Sequence, residues 1–103
     1  MKGIADIRIP ANHPAFAGHF PDAPIVPGVV LLDEALRAIT LLTGVSFDNC
    51  VLSSVKFKRF VLPGEALTLR YEFPNLQKLR FDIDSTGTLI ATGLVTLRVP
   101  DAP

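Results

Sequence analysis

Prolines are concentrated in one stretch of the 103-residue chain. Five of the nine prolines lie at positions 10, 14, 21, 24 and 27. Because proline lacks a backbone N–H and fixes φ, the last four exclude a regular helix or a central strand from residues 10–28. We therefore predict a long, stiff loop, and such a loop in a small domain is often functional.

The segment that follows, residues 28–43 (GVVLLDEALRAITLLT), is predicted to be the single helix. Pro27 lies where a helix begins, and Gly44 lies where one ends. Apolar side chains cover about half of the helical wheel, and Val30 and Leu41 add apolar surface on the other side. We therefore expect a helix that is buried nearly all round. Its narrow polar stripe consists of Asp33, Arg37 and Thr40.

Strand patterns occupy most of the remaining chain. Alternation of apolar and polar residues, in whole or in part, marks residues 3–9, 50–61, 65–73, 78–84 and 88–99. Turn-forming pairs separate the later segments: Pro63-Gly64, Pro74-Asn75 and Thr86-Gly87. One strand, one helix and four further strands predict an α+β domain, with an antiparallel sheet wrapped around the helix. The chain length predicts a single domain over residues 1–103.

Charge and cysteine content exclude several classes of function. Ten basic residues balance ten acidic ones, which argues against general nucleic-acid binding. Cys50 is the only cysteine, so neither an intramolecular disulfide nor a cysteine-rich metal site can form. The sequence shows no signal-peptide pattern and no run of about 18 apolar residues. We expect a soluble protein of the cytoplasm without a membrane partner.

Basic residues are nevertheless clustered in the middle of the chain. Residues 51–80 contain six of them against two glutamates: Lys56, Lys58, Arg59, Arg70, Lys78 and Arg80 against Glu65 and Glu72. A basic face of this kind would suit an acidic protein partner or a phosphate group. Ordinary solvated strand faces explain the cluster equally well.

Two motifs carry the strongest indication of function. Residues 18–36 (GHFPDAPIVPGVVLLDEAL) place His19 before a Pro27-Gly28 turn and Asp33 14 residues after the histidine. Residues 55–69 (VKFKRFVLPGEALTL) supply the second motif. The pair resembles the motifs of the 3-hydroxyacyl-[acyl-carrier-protein] dehydratases of bacterial fatty-acid synthesis, over roughly residues 13–70. The aspartate resembles both the dehydratase-isomerase branch and the short dehydratases of aryl-polyene clusters, and the short N-terminus resembles the latter. The resemblance therefore implies fatty-acid biosynthesis or a polyene or other specialised lipid pathway.

The resemblance implies a hot-dog fold and a reaction that converts a 3-hydroxyacyl thioester into a trans-2-enoyl thioester. His19, whose type titrates near neutrality, is implied as the base that removes the α-proton. The Gly28 N–H at the helix N-terminus would bind the thioester carbonyl. Asp33 would protonate the leaving hydroxide or orient a water that does so. Phe20 and Val29 would line the acyl channel.

The resemblance also implies the partners. Subunits of the family pair so that the histidine of one faces the carboxylate of the other, which predicts a homodimer or a dimer with a related hot-dog subunit. The substrate would arrive on acyl-carrier protein, as a 3-hydroxyacyl chain on its phosphopantetheine arm. No metal-ligand cluster, phosphate loop or dinucleotide fingerprint is apparent in the sequence, so we predict no cofactor and no metal.

Each site residue also has a purely structural interpretation. A loop histidine can be satisfied by backbone carbonyls, Asp33 can pair with Arg37 along the helix, and Gly28 can serve only the turn. Glu34 lies about 100° round the helix from Asp33 and is assigned a structural role. Two other functions also fit the fold: an acyl thioesterase, which needs the helix carboxylate but not the GHFP histidine, and a non-catalytic acyl-binding subunit.

Overall fold

The computed structural model describes residues 1–10 and 25–97. Within these ranges the chain forms β1 (Lys2–Ile7), α1 (Gly28–Thr43), β2 (Val51–Phe57), β3 (Leu67–Asn75), β4 (Lys78–Ser85) and β5 (Thr88–Thr96). His19 and Phe20 lie outside the described residues, as do the last residues of the predicted final strand. The order of elements confirms the predicted α+β class.

The helix has the predicted bounds because both ends are set locally. The Pro27 carbonyl accepts the N–H groups of Val30 and Leu31, at 3.0 and 3.1 Å. At the other end Gly44 takes the left-handed conformation (φ 77°) and donates to the Thr40 carbonyl at 2.8 Å. A residue without Cβ adopts this conformation at little cost, and so ends the helix.

All five strands form one antiparallel sheet in the order β1-β3-β4-β5-β2. Strands β3, β4 and β5 follow one another through two tight turns, and β1 and β2 are the edges. One face of the sheet packs against the helix. The core that joins them is buried and apolar, and includes Leu31, Ala35 and Ile39 of the helix with Leu69, Phe81, Ile83 and Val95 of the sheet.

The helix is buried on one side only. Leu31, Ala35 and Ile39 are buried, whereas Val29 and Leu41 are 73% and 79% exposed. The prediction of burial nearly all round is therefore wrong for a single chain, because one sheet face can cover only one side of a helix. The exposed apolar residues need another surface if they are to leave water.

Several strand boundaries differ from the prediction by one or more residues, and two of the differences have a cause in the structure. The sequence pattern predicts a turn at Pro74-Asn75, but Pro74 lies inside β3 and the turn falls at residues 76–77. The pairing register with β4 shifts between Glu72 and Asn75, and proline is tolerated at such an irregularity because no ladder hydrogen bond is required of it. Strand β2 ends at Phe57 rather than at residue 61.

The chain leaves the sheet after β2 because Val61 pairs with a residue outside the sheet. Val61 forms an isolated antiparallel bridge with Val26, just before the helix. Pro63 and Gly64 then form the predicted turn, closed by the Glu65 N–H on the Leu62 carbonyl at 3.1 Å. Gly64 has φ +80°, as the third residue of a type II turn requires.

Candidate active site

The N-terminus of the helix offers backbone donors with no acceptor in the described part of the chain. The first N–H groups of any helix lack acceptors within it. The Pro27 carbonyl satisfies those of Val30 and Leu31, and no side chain caps this end. The N–H groups of Gly28 and Val29 are left without an acceptor among residues 1–10 and 25–97. Since no acidic residue lies in the first turn, the positive end of the helix dipole remains available to a negatively charged group.

A cavity of about 340 Å³ opens beside Gly28. Its walls are mostly apolar and consist of Ile25, Val26, Pro27, Gly28, Leu31, Phe57, Arg59, Phe60 and Val61. The Phe57 ring lies directly against the glycine, and a Cβ there would be 2.9 Å from its Cζ. Gly28 therefore serves the close approach of an aromatic ring as well as the turn. An apolar cavity beside a helix N-terminus with a free N–H can hold an acyl chain and polarise its carbonyl.

Val29, a predicted channel residue, does not line this cavity. It is exposed on the outer side of the helix, and Leu31 contributes to the cavity wall instead. Its role in the channel stays a prediction for this chain.

Phe57 lines the cavity but is not among the site residues predicted from the sequence, although it lies in the second motif. Its contact with Gly28 joins residues that are distant along the chain, so the sequence pattern gives no sign of it.

Asp33 lies in a different place from Gly28. It is exposed and lines a groove of about 450 Å³ together with Leu36, Arg37, Thr40, Ser46, Phe47 and Asp48. Five residues of α-helix turn the chain by about 140°, so the Asp33 side chain leaves the helix on a different side from the cavity at Gly28. One chain alone therefore does not bring the predicted acid and the predicted carbonyl donor into one cavity.

An ion pair spans the segment 59–65, whose first three residues form part of the cavity wall. Arg59 and Glu65 form a two-point interaction, in which Nη1 reaches Oε1 at 3.3 Å and Nη2 binds Oε2. Glu65 Oε1 also accepts the Leu62 N–H at 3.1 Å, and Arg59 Nη1 donates to the Phe60 carbonyl at 2.7 Å. The Arg59 guanidinium and the Leu62 N–H both favour the charged carboxylate, and together they lower the pKa of Glu65 from its usual 4.5 to about 2.

This pKa predicts how the pair responds to acid. Because the pKa of Glu65 is lower in the folded chain than in the unfolded chain, its contribution to stability is complete above about pH 4.5 and is lost as the pH falls toward 2. We expect the difference in unfolding free energy between wild type and Glu65→Gln to be constant from pH 5 to 7 and to shrink below pH 4.5. Urea unfolding at a series of pH values measures it. A difference that stays unchanged down to pH 2.5 would contradict the lowered pKa.

The remaining predictions concern metal ions and membranes. Among the described residues, no group of three His, Cys, Asp or Glu side chains could hold a metal ion. Residues 1–10 and 25–97 contain no helix that is long and apolar enough to cross a membrane. The one described cysteine, Cys50, is a free thiol of intermediate burial.

Sequence comparison identifies relatives over most of the chain. A family described as ApeI-like, ApeI dehydratase, matches residues 2–94. The 3-hydroxyacyl-[acyl-carrier-protein] dehydratase FabZ of Chlamydia trachomatis is 38% identical over 79 residues, which are 68% of this chain and 52% of the relative. The chain therefore spans about half the length of the curated relatives it matches.

Structural comparison confirms the predicted hot-dog fold. The dehydratase heterocomplex ApeI:P from Xenorhabdus doucetiae superposes with a TM-score of 0.79 and 26% identity, covering 95% of this chain and 88% of that one. A fluoroacetyl-CoA thioesterase, FlK, superposes with a TM-score of 0.62 and 16% identity, covering 92% of this chain and 82% of that one. Since a dehydratase and a thioesterase both share this architecture, the fold alone does not select the reaction.

Proposed function

We propose, on the premise that this chain belongs to the ApeI-like dehydratase family, that it removes water from 3-hydroxyacyl thioesters to give trans-2-enoyl thioesters. The observation that carries the proposal is the N-terminus of α1. There the Pro27-Gly28 step of the dehydratase motif lines an apolar cavity, and the Gly28 N–H has no acceptor among the described residues. The same motif supplies His19 and Asp33 at the spacing seen in the dehydratase family it resembles.

In this proposal one group of the protein is assigned to each chemical step of the dehydration. His19 takes the α-proton, and the electron pair of that C–H bond moves into the bond between the α- and β-carbons. The thioester carbonyl gains negative charge as this happens, and the Gly28 N–H with the helix dipole stabilises it. The bond from the β-carbon to oxygen breaks, and Asp33, or a water that it orients, supplies the proton that turns hydroxide into water. No bond in this sequence needs a cofactor.

A site shared between two subunits is the arrangement that this chain supports best. Asp33 and Gly28 open into separate cavities of one chain, so the acid has to come from a second copy. The exposed edge strand β2 provides a surface for that copy, since Val51 and Leu52 are exposed apolar residues beside unpaired backbone groups. The structural relative is itself a heterocomplex. We propose a homodimer, or a dimer with a related hot-dog subunit.

Two lysines next to the cavity fit an acidic carrier. Lys56 and Lys58 are exposed and alternate along the chain with Phe57 and Arg59, which line the cavity beside Gly28. The Chlamydia relative is named for acyl-carrier-protein substrates. We propose that acyl-carrier protein docks over these lysines and delivers its 3-hydroxyacyl phosphopantetheine arm into the cavity. Other basic residues of the central cluster are engaged within the fold, such as Arg70 with Asp84 at 2.7 Å.

The similarity to an aryl-polyene-type family, and the aspartate in place of glutamate, favour a polyene or specialised lipid pathway over general fatty-acid synthesis. In either pathway the reaction class is the same. The protein would work in the cytoplasm, where acyl chains are elongated on carrier protein.

Dehydration and thioester hydrolysis leave different products, so one assay separates them. The purified chain is incubated with a 3-hydroxyacyl thioester of acyl-carrier protein, and in parallel with the simple thiol ester of the same acid. We expect absorbance of the conjugated enoyl thioester to grow while free thiol stays at the level of the blank. Release of thiol in step with substrate loss would identify a thioesterase. Retention of intact substrate, with neither product formed, would identify a non-catalytic acyl-binding subunit.

A further inference from the structure

The short loop between Arg59 and Glu65 accepts one hydrogen bond from Val26 and donates one to Ile9. These two residues lie on either side of the motif histidine in the sequence. The Val26 N–H donates to the Val61 carbonyl at 2.8 Å, two residues before Gly28. The Gly64 N–H donates to the Ile9 carbonyl at 2.7 Å, at the end of the first described range. Residues 61–64 are therefore the common anchor of Ile9 and Val26, and the motif histidine lies between these two positions in the sequence.

The ion pair determines the shape of this anchor. Arg59 lies on one side of Val61 and Glu65 on the other, so their two-point contact closes a short loop. Each partner also binds backbone inside that loop: Arg59 binds the Phe60 carbonyl, and Glu65 binds the Leu62 N–H. The direction of the Val61 carbonyl is thus fixed by groups on both sides of it.

The pair combines partial exposure with contacts to the backbone on both of its sides. The Arg59 side chain is 38% exposed and the Glu65 side chain 18%. Seven hydrogen bonds among the described residues are concentrated on this one short loop beside the cavity, which indicates a geometric role.

We propose that Arg59 and Glu65 are positioning residues for the dehydration, acting through the Val61 carbonyl and Val26 on the donor at Gly28. The inference rests on the proposed function for its effect on rate. Glu65 does not line the cavity, so it acts without touching the substrate, whereas Arg59 is also part of the cavity wall. If the loop loosens, Val26 loses its fixed partner and the Gly28 N–H no longer meets the developing negative charge at the productive distance. A misplacement of about 1 Å can cost a rate factor of about 100.

The test compares this pair with another ion pair of the described residues, Arg70 with Asp84. Glu65→Ala and Arg59→Ala, alone and combined, are set against Asp84→Asn, which removes the negative charge that pairs with Arg70 between β3 and β4. We expect kcat for enoyl formation to fall about 10- to 100-fold in either single variant, with KM changed by less than about twofold. The double variant should be no slower than the singles, since both break one unit. Asp84→Asn should keep the wild-type kcat.

Amide hydrogen exchange supplies a readout that does not depend on activity. In Glu65→Ala the amides of Val26 and Gly64 should exchange faster than in wild type, while in Asp84→Asn they should be unchanged. Glu65→Gln, which keeps an acceptor for the Leu62 N–H and folds even if the alanine variant does not, should lie between wild type and Glu65→Ala in both kcat and exchange.

These measurements distinguish a failure of the proposed dehydratase function from a failure of the positioning role of Arg59 and Glu65. An inactive wild type with faster exchange in Glu65→Ala would overturn the proposed function and leave the anchoring intact. An active wild type whose kcat is the same in Glu65→Ala would overturn the positioning role, whether or not the amides exchange faster. Equal losses of kcat in Glu65→Ala and Asp84→Asn would overturn it as well.

Discussion

Replacing His19 with alanine is expected to lower kcat for enoyl formation by about 10²- to 10⁴-fold, the range over which a positioned general base accelerates proton transfer. The α-proton of a thioester is weakly acidic, and the Gly28 N–H can only stabilise the charge that a base has already begun to create. KM should change little because the acyl chain and the carrier protein bind elsewhere. Initial rates of enoyl absorbance on carrier-protein substrate provide the measurement.

The chain contains a matched control for this substitution. His13 is the only other histidine, lies in the same proline-rich stretch and has no counterpart in the dehydratase motif. His13→Ala should keep kcat within about twofold of wild type. If His13→Ala lost as much activity as His19→Ala, or if His19→Ala remained active, the assignment of the base would be wrong.

The same variant separates the dehydratase from the thioesterase. Hydrolysis on a hot-dog fold can proceed with a helix carboxylate and water, without the histidine of the motif. A thioesterase would therefore release thiol at an unchanged rate in His19→Ala and lose that activity in Asp33→Asn. A dehydratase should lose enoyl formation in both variants.

The helix could be predicted from the sequence to the residue because its limits are local. Pro27 cannot extend a helix backwards and leaves its carbonyl to Val30 and Leu31, while Gly44 takes a left-handed conformation at little cost. Neither condition depends on the rest of the fold. The antiparallel sheet followed for the same reason, from alternating strands and from the turn pairs Pro63-Gly64 and Thr86-Gly87.

The incorrect predictions concern positions whose structure depends on contacts between residues that are distant in the sequence. Residues 58–61 continue the alternating pattern of β2, yet Val61 pairs with Val26 and draws the chain off the sheet. Pro74 resembles a turn residue, yet a register shift keeps it within β3. The sequence shows that Arg59 and Glu65 flank the turn, but only the folded chain shows that they bind each other.

The site itself was predictable in part. The Pro27-Gly28 step indicated a helix N-terminus with free donors, and the structure has that feature with an apolar cavity beside it. Phe57 and Leu31 as walls of that cavity were not predictable, because periodicity gives the face of an element and not its neighbour. The expected burial of the whole helix failed for a related reason: the pattern shows which residues of the helix are apolar, but not that the sheet covers only one side of it.

That second subunit can be tested by placing the two catalytic substitutions on different chains. Two differently tagged copies are co-expressed, and the mixed dimer is purified through both tags. When one copy carries His19→Ala and the other Asp33→Asn, a site shared between subunits leaves one of the two sites with both groups intact. We expect this mixed dimer to have about half the wild-type kcat per dimer, although each variant is inactive by itself.

The reverse combination makes the result decisive. A mixed dimer of wild type with the double variant His19→Ala/Asp33→Asn carries the same two substitutions, but every shared site then lacks one group, so we expect almost no activity. Sites contained within one chain would give the opposite pattern, with no activity in the first dimer and about half in the second. If two tagged wild-type copies did not co-purify, the homodimer would be wrong and the related hot-dog subunit would be the partner to seek. Half activity in the first dimer would explain why Asp33 and Gly28 open into separate cavities of one chain.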